Sequence, residues 1–311
     1  METQTKQEWL VVVNPNAGIG KVKRDWNKIS DLLDQQGFNY QPVFTKGPRH
    51  AIKIVAEEIE NGYRKIIAVG GDGTMNEVVN GIFKQKGVPT TDITLGMISV
   101  GTGNDWVRTF NIPKDYAGAI RIIKNEKTLL QDAGIVKYYH CAMEKIRYFI
   151  NMAGLGFDGL VAKKTNADKE KGRGNPLVYF INLLASLFSF KSSNTKINVD
   201  DREIKDKIFS IGIGIGQYNG GGMHQAPAAL PDDGLFDLTL IKDMSKWSVI
   251  TSIRKLYNGS IASHKRVETL VGKSIRIESE HPILLEADGE SLGESPFEFQ
   301  IVPKSVKVIV N

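Results

Sequence analysis

The chain has 311 residues, 41% hydrophobic and 24% charged, so it can bury more than one core and is too apolar to stay disordered. Lys and Arg exceed Asp and Glu by 40 to 35, and the net charge of +5 suits a nucleotide or an acidic membrane surface. It is too weak to indicate nucleic acid, for which no motif is present, and the single Cys141 excludes an internal disulfide and a cysteine-ligated zinc while fitting a reducing compartment.

The polar, acidic start up to Trp9 lacks the character of a signal peptide. Residues 10–13 then predict a first strand, and Trp26, Ile29, Leu32 and Leu33 recur at helical spacing toward Gly37. Residues 40–45 read as a strand, and Ala51, Ile54, Val55 and Ile59 as a helix stopped by Asn61 and Gly62. A strand ending at Gly70, a helix through 79–83, a strand over 95–100 and a helix over 116–123 follow. This order predicts an α/β domain over 1–132, doubly wound around a mainly parallel sheet. After Asp132 strand-like alternation takes over, in 148–151, 208–216, 235–241, 274–278, 283–286, 297–302 and 306–310. A second domain over 133–311, an antiparallel β-sandwich, is expected, with its last strand or strands free to return to the first domain.

The longest apolar stretch, 177–190, falls short of the roughly 20 residues a membrane-spanning helix needs. With Lys163, Lys164, Lys169, Lys171 and Arg173 just upstream, it has the basic flank and apolar face of an interfacial element. A core helix packing on the β domain explains the same apolar residues.

Three predicted strands of the first domain end in polar, glycine-containing turns: NPNAG at 14–18, GGDGT at 70–74 and GTGND at 101–105. Parallel strands present their carboxyl ends on one edge, so these turns converge on one crevice. Glycines let backbone N–H groups approach a phosphate, a helix starting near Thr74 points its positive end there, and Asp72 suits a Mg²⁺ bridging phosphates. A tight Gly-Asp-Gly turn capping a helix is the plainer alternative. Pro15 and Val22 spoil a Walker A match around Gly20 and Lys21, and Lys23 stands where a dinucleotide fingerprint needs its third glycine.

Those three turns, with the continuation MNEVVNG at 75–81, GLGFD at 154–158, GGGM at 220–223, PDDGLFD at 231–237 and ADGE at 287–290, closely resemble the diacylglycerol kinase catalytic domain and the bacterial lipid kinases and sphingosine kinases built on it. The resemblance spans nearly the whole chain. It implies a phosphofructokinase- or NAD kinase-like first domain that binds ATP and a β-rich second domain that helps hold the lipid. Asn14, Thr45, Gly70, Gly71, Asp72, Gly73, Thr74, Met75, Asn76 and Glu77 are implied to surround ATP, with Thr102 near its phosphates or sugar. Asp72 is implied to act catalytically through nucleotide-bound Mg²⁺, and Asp105 to hold a water of that ion. A structural Mg²⁺ is implied on Asp233 with the carbonyls of Leu230 and Leu235; without the resemblance, residues 232–234 are an acidic turn. Glu290 is implied as the general base for the lipid hydroxyl, and Asp288-Gly289 also read as a hairpin turn. One departure is Ile215-Gly216-Gln217, where relatives usually have Asn-Gly and a basic residue, which bears on the acceptor side.

The expectation is therefore an ATP- and Mg²⁺-dependent kinase of diacylglycerol or a related lipid in phospholipid metabolism. It would be cytoplasmic, peripheral and transient at the inner membrane face, without a transmembrane segment or a nucleic-acid partner, and compatible with a homodimer. NAD kinase shares the glycine turn and a related fold, and a non-catalytic nucleotide-binding regulator is the alternative from another class.

Overall fold

The central strands of the first half are apolar over most of their length and buried beyond their first residue, as strands covered on both faces must be. The structure, a computed structural model, describes residues 5–170 and 176–311. The chain divides into two compact units, Met1–Ala133 with Pro303–Asn311, and Gly134–Val302.

The first unit runs β1 (Trp9–Val13), α1 (Ala17–Gln35), β2 (Tyr40–Phe44), α2 (His50–Glu60), β3 (Lys65–Gly70), α3 (Asp72–Lys84), β4 (Thr94–Ser99), α4 (Asp105–Thr109), α5 (Tyr116–Asn125) and the start of β5 (Thr128–His140). β4, β3, β1 and β2 lie side by side and parallel, with Trp9 opposite both Tyr40 and Lys65. On one face Val11, Val13, Ile67, Val69 and Ile98 pack under Val22, Ile29 and Leu33 of α1 and Ile120 and Ile123 of α5. Each such side chain contributes roughly 1.5–3 kcal/mol of burial, so helix spacing that turns Val22, Ile29 and Leu33 inward decides where α1 sits. The opposite face is helical too, α2 and α3 packing on one another.

The second unit holds the rest of β5, β6 (Met143–Phe149), β7 (Met152–Gly156), α6 (Phe157–Glu170), α7 (Pro176–Ser189), β8 (Ser193–Val199), β9 (Arg202–Gly214), β10 (Tyr218–Asn219), β11 (Met223–His224), β12 (Phe236–Lys242), α8 (Lys246–Tyr257), β13 (Val267–Gly272), β14 (Ser274–Ser279), β15 (Leu284–Ala287) and most of β16 (Glu290–Ile309). Its pairings are antiparallel and run from β9 through β7, β15, β16, β14 and β8 back to β9. Phe149, Phe236 and Phe299 fill the core, with ring centroids 5.8 to 6.5 Å apart.

The expected α/β unit followed by a β-sandwich-like unit is what the chain forms, with differences in detail. Strand 148–151 is interrupted, β6 ending at Phe149 and β7 starting at Met152, because the backbone N–H groups of 150–152 are drawn onto the Asp288 side chain. The separate strands over 297–302 and 306–310 are one, β16, whose Lys307 and Val308 pair in parallel with Thr94 and Leu95 of β4 inside the first unit. β8 escaped pattern reading because its inward positions include Ser193 and Thr195, which carry no hydrophobic signal. β5, α4, α6, α8 and β13 were likewise not expected.

Of the basic residues before α7, Lys163 is exposed and Lys164 half-buried. Lys171, Arg173 and the side chain of Lys169 lie outside the described residues. No helix among the described residues is long and apolar enough to cross a membrane.

Candidate active site

The three turns of the first unit meet tip to tip. Asn14 Nδ2, just past β1, donates to Thr74 Oγ1 in the first turn of α3 at 3.0 Å. A Cβ on Gly71 would lie 3.2 Å from the Gly101 Cα, and one on Gly101 only 2.8 Å from the Gly71 Cα, so the two turns meet backbone to backbone and a side chain at Gly101 would clash. A Cβ on Gly18 would run into the Val100 carbonyl. The start of α1 is not helical: Gly18, Ile19 and Gly20 have φ of 60°, 57° and 71°. Two of these residues are glycines, which the left-handed region suits; Ile19, β-branched, is strained by about 1–2 kcal/mol. Its side chain is 51% exposed, so little packing is at stake. Ile19→Asn is expected to raise unfolding stability by about 1 kcal/mol, since Asn tolerates this conformation. A urea titration of both proteins checks this.

Asp72 opens α3 and organises the second and third turns. Its Oδ1 accepts from the N–H groups of Asp105 (3.0 Å) and Trp106 (3.2 Å), capping α4. A Cβ on Gly103 would lie 3.1 Å from Asp72 Oδ2 and 3.2 Å from Asp105 Oδ2, so both carboxylates border one spot. Arg108 Nε approaches Asp105 Oδ1 at 3.5 Å. Burial pushes the Asp72 carboxyl above its ordinary range, opposed by the bonds from Trp106 and Asp105. Two carboxylates beside a glycine that leaves room, facing the positive end of a 13-residue helix, form an oxygen-donor set that fits Mg²⁺ carried by a triphosphate.

The other residues expected at the nucleotide divide. Gly70, Gly71, Gly73 and Thr74 belong to the turn and first helical turn, Thr102 stands exposed at the tip of its loop, and Thr45 is buried after β2 with its N–H on the Val13 carbonyl. The side chains of Met75 and Asn76 are 1% and 0% exposed, turned inward by the helical period, and Asn76 accepts from Asn80. Glu77 is engaged elsewhere: it accepts from Arg49 N (2.6 Å) and Ala51 N (3.1 Å), capping α2 in place of a side chain from α2's own N-cap.

In the second unit, Asp288 and Gly289 have φ of 48° and 82°, a two-residue turn joining Ala287 and Glu290 as the register of β15 and β16 requires. The Asp288 carboxylate is buried and accepts from the N–H groups of Ile150, Asn151 and Met152 at 3.0–3.1 Å. Glu286, also buried, accepts from Gly289 N at 2.8 Å and Asn219 Nδ2 at 3.3 Å, while Asn166 donates to the Gly289 carbonyl. Burial, then the nearby charges of Asp158 and Asp288, hold the Glu286 carboxyl well above its usual range. Asp158 is raised by burial despite bonds from Gln225 and Ser210. Glu290 itself is exposed, the first residue after this clamped turn. The support from Glu286, Asn219 and Gln225 was missed in sequence; a glutamate two positions before an Asp-Gly turn was the available signal.

Asp233 accepts from Leu235 N at 3.0 Å in a tight turn beside the 55% exposed Leu230. Among the described residues no three His, Cys, Asp or Glu side chains are grouped to hold a metal; the 230, 233 and 235 set has one carboxylate and two carbonyls. Burial and the Asp233 charge raise the Asp237 carboxyl to about 6, a repulsion a cation would relieve. Above pH 6 the folded state carries the cost of the ionised group. As pH falls from about 6 toward the ordinary value near 4, the folded state takes the proton first and the cost disappears. Asp237→Asn in a chelator is therefore expected to stabilise by about 1 kcal/mol at pH 8, allowing for partial exposure, and by almost nothing near pH 4. Urea titrations at the two pH values check this.

Two domain families match the chain in order: the diacylglycerol kinase catalytic domain over residues 8–136, and the YegS C-terminal NAD kinase beta sandwich-like domain over residues 151–310. The "Putative lipid kinase YtlR" of Bacillus subtilis (strain 168) is 30% identical, covering 96% of this chain and 98% of the relative. A diacylglycerol kinase of Staphylococcus saprophyticus is 28% identical, covering 96% and 93%. Among solved structures, a "putative diacylglycerol kinase" from Bacillus anthracis str. Sterne superposes with a TM-score of 0.77 at 26% identity, covering 98% and 97%. Yeast NADH kinase complexed with NADH shares the fold, with a TM-score of 0.56 at 12% identity, covering 99% and 84%. The domain matches run over both units and the relatives align from end to end, and the chain belongs to the diacylglycerol kinase family of lipid kinases.

Proposed function

We propose that this protein transfers the γ-phosphoryl group of ATP to a hydroxyl of diacylglycerol or a related membrane lipid, in phospholipid metabolism, with Mg²⁺. The reading is carried by the meeting of the Gly71, Gly101 and Gly103 backbone with the Asp72 and Asp105 carboxylates at one helix N-terminus. In that arrangement backbone N–H groups and the α3 dipole take phosphate oxygens, and Asn14 and Thr74 fix the neighbouring turn. Asp72 would hold the magnesium and Asp105 one of its waters, and the ion would supply charge neutralisation on the transferring group. Glu290 receives the hydroxyl proton, an effect worth typically 10²- to 10⁴-fold. Leu230, Asp233 and Leu235 offer a separate structural magnesium its oxygens. The enzyme works from the cytoplasm, peripheral and transient at the inner membrane face, and a homodimer is compatible with this chemistry.

The test is transfer of label from radiolabelled ATP to a panel of diacylglycerol, monoacylglycerol, sphingoid bases, phosphatidylglycerol and NAD, with and without a chelator. Label in phosphatidate or another lipid phosphate, lost with the chelator, supports the reading. The fold shared with yeast NADH kinase gives NAD phosphorylation as the second reading, and label in NADP alone would establish it.

A further inference from the structure

Over residues 181–189 the uncharged helix α7 carries apolar side chains on two sides, one packed and one exposed. Leu183, Leu187 and Phe190 pack inward with Phe157, Phe209 and Ile241, the Phe190 ring lying 5.8 Å from Phe157 and 5.4 Å from Phe209. On the opposite side Ile181, Ala185 and Phe188 recur at helical spacing toward solvent, Ile181 54% and Phe188 70% exposed. A core helix has no reason to leave a phenylalanine this bare.

α8 adds to the same neighbourhood. Lys246 Nζ donates to the Phe190 carbonyl at 2.7 Å, tying the start of α8 to the end of α7, while Val249 and Ile250 pack into the shared cluster. The next residue, Trp247, is 77% exposed and heads a face continued by Thr251 and Arg254. Exposed Phe188 and Trp247 thus flank one interhelical bond. The charged groups near that bond are mainly basic: Lys191 and Arg254 are exposed, Lys246 lies between, the nearby Asp243 is matched by Lys207 at 3.6 Å, and the acidic Asp168 accepts from Asn182 Nδ2 of α7 at 2.7 Å. Two bare aromatics on helices joined by that bond, with Lys191, Lys246 and Arg254 close to them in sequence, complement anionic headgroups over acyl chains, the layer where Trp and Phe insert while cations stay at the phosphates.

We propose that the outer face of α7, with Trp247 of α8, inserts into the headgroup layer of an anionic bilayer and docks the protein on the membrane. The inference deepens the lipid-kinase reading, from which it takes its purpose, while its test reads membrane binding directly.

The full chain is floated with vesicles of phosphatidylcholine, with and without phosphatidylglycerol. The wild type is expected to float with the anionic vesicles. Phe188→Ser and Trp247→Ser should each weaken that binding roughly tenfold, and the double variant more. Met143→Ser, which removes a comparably exposed apolar residue from β6, should leave it unchanged. Vesicles with brominated acyl chains should quench the emission of the wild type far more than that of Trp247→Phe, because Trp9 and Trp106 are buried at 5% and 1% exposure and the half-buried Trp26 lies on α1 of the first unit, packed on Phe44 with ring centroids 5.3 Å apart.

Equal flotation of the double variant and wild type, or no quenching of the bound wild type, overturns the proposal. So does a lipid-free wild type that sediments as a dimer while the double variant sediments as a monomer, since a second copy would then cover this face. Activity on a short-chain diacylglycerol dispersed in detergent separates the two readings. Preserved turnover in a double variant that no longer floats supports docking, whereas absent turnover on every lipid, with flotation still governed by Phe188 and Trp247, leaves docking standing and removes the kinase.

Discussion

Asp72→Asn should lower phosphoryl transfer about 10²- to 10³-fold, the scale of losing one preorganised charge-stabilising group, without unfolding the first unit. The substitution is informative because Asp72 has two tasks carried by different oxygens. Oδ1 caps α4 through the N–H groups of Asp105 and Trp106, and an asparagine carbonyl can accept both bonds. Oδ2, beside the Gly103 backbone and the Asp105 carboxylate, becomes an uncharged amide that repels a cation. Asp72→Ala removes both tasks and should also cost about 1–3 kcal/mol of stability, because it strips a charge-assisted acceptor from two N–H groups. Steady-state turnover at saturating ATP, with urea unfolding of all three proteins, separates the roles. An Asp72→Asn enzyme with more than a tenth of wild-type turnover would leave Asp72 only its capping role.

Asp288→Ala is expected to destabilise the second unit by about 3–5 kcal/mol, the range for removing one member of a buried charged network. Three backbone N–H groups at 150–152 would lose their common acceptor inside the protein. That loss is a large fraction of the roughly 5–15 kcal/mol by which a domain is stable. Asp288→Asn should fall between the two, since one oxygen can still serve Asn151 and Met152 while the amide nitrogen opposes the Ile150 N–H. Denaturant midpoints give the order wild type, Asn, Ala. The exposed Glu290, one residue past the turn, should tolerate Glu290→Gln with an unchanged midpoint while turnover falls 10²- to 10⁴-fold. A midpoint for Asp288→Ala within measurement error of wild type would mean that water replaces the carboxylate at those N–H groups.

The α/β half was legible because its information is local. Apolar runs as short as those of β1, β3 and β4, each followed directly by a glycine turn, read as strands buried on both faces. What could not be read depends on partners far along the chain. Glu77 looks like part of the GGDGTMNE turn, yet its acceptors serve α2, 26 and 28 residues back, a role set by how α2 and α3 pack. The Asp288 bonds reach back 136 to 138 residues, so a sequence window around ADGE shows the hairpin but not the clamp. α7 was ambiguous between core and interface because its composition serves both; only the exposure of Phe188 against the burial of Leu187 separates its faces.

The final stretch of β16 completes the sheet formed by the first residues of the chain, Val308 pairing with Leu95 on the strand that leads to the Gly101 turn, and Lys304 N donating to the buried Asp132 carboxylate at 2.7 Å. During synthesis, β4 therefore waits unpaired on one side until residues 303–309 have been made. A chain interrupted before them cannot close that edge, and the strand that feeds the Gly101 turn is then left open to pairing with other chains.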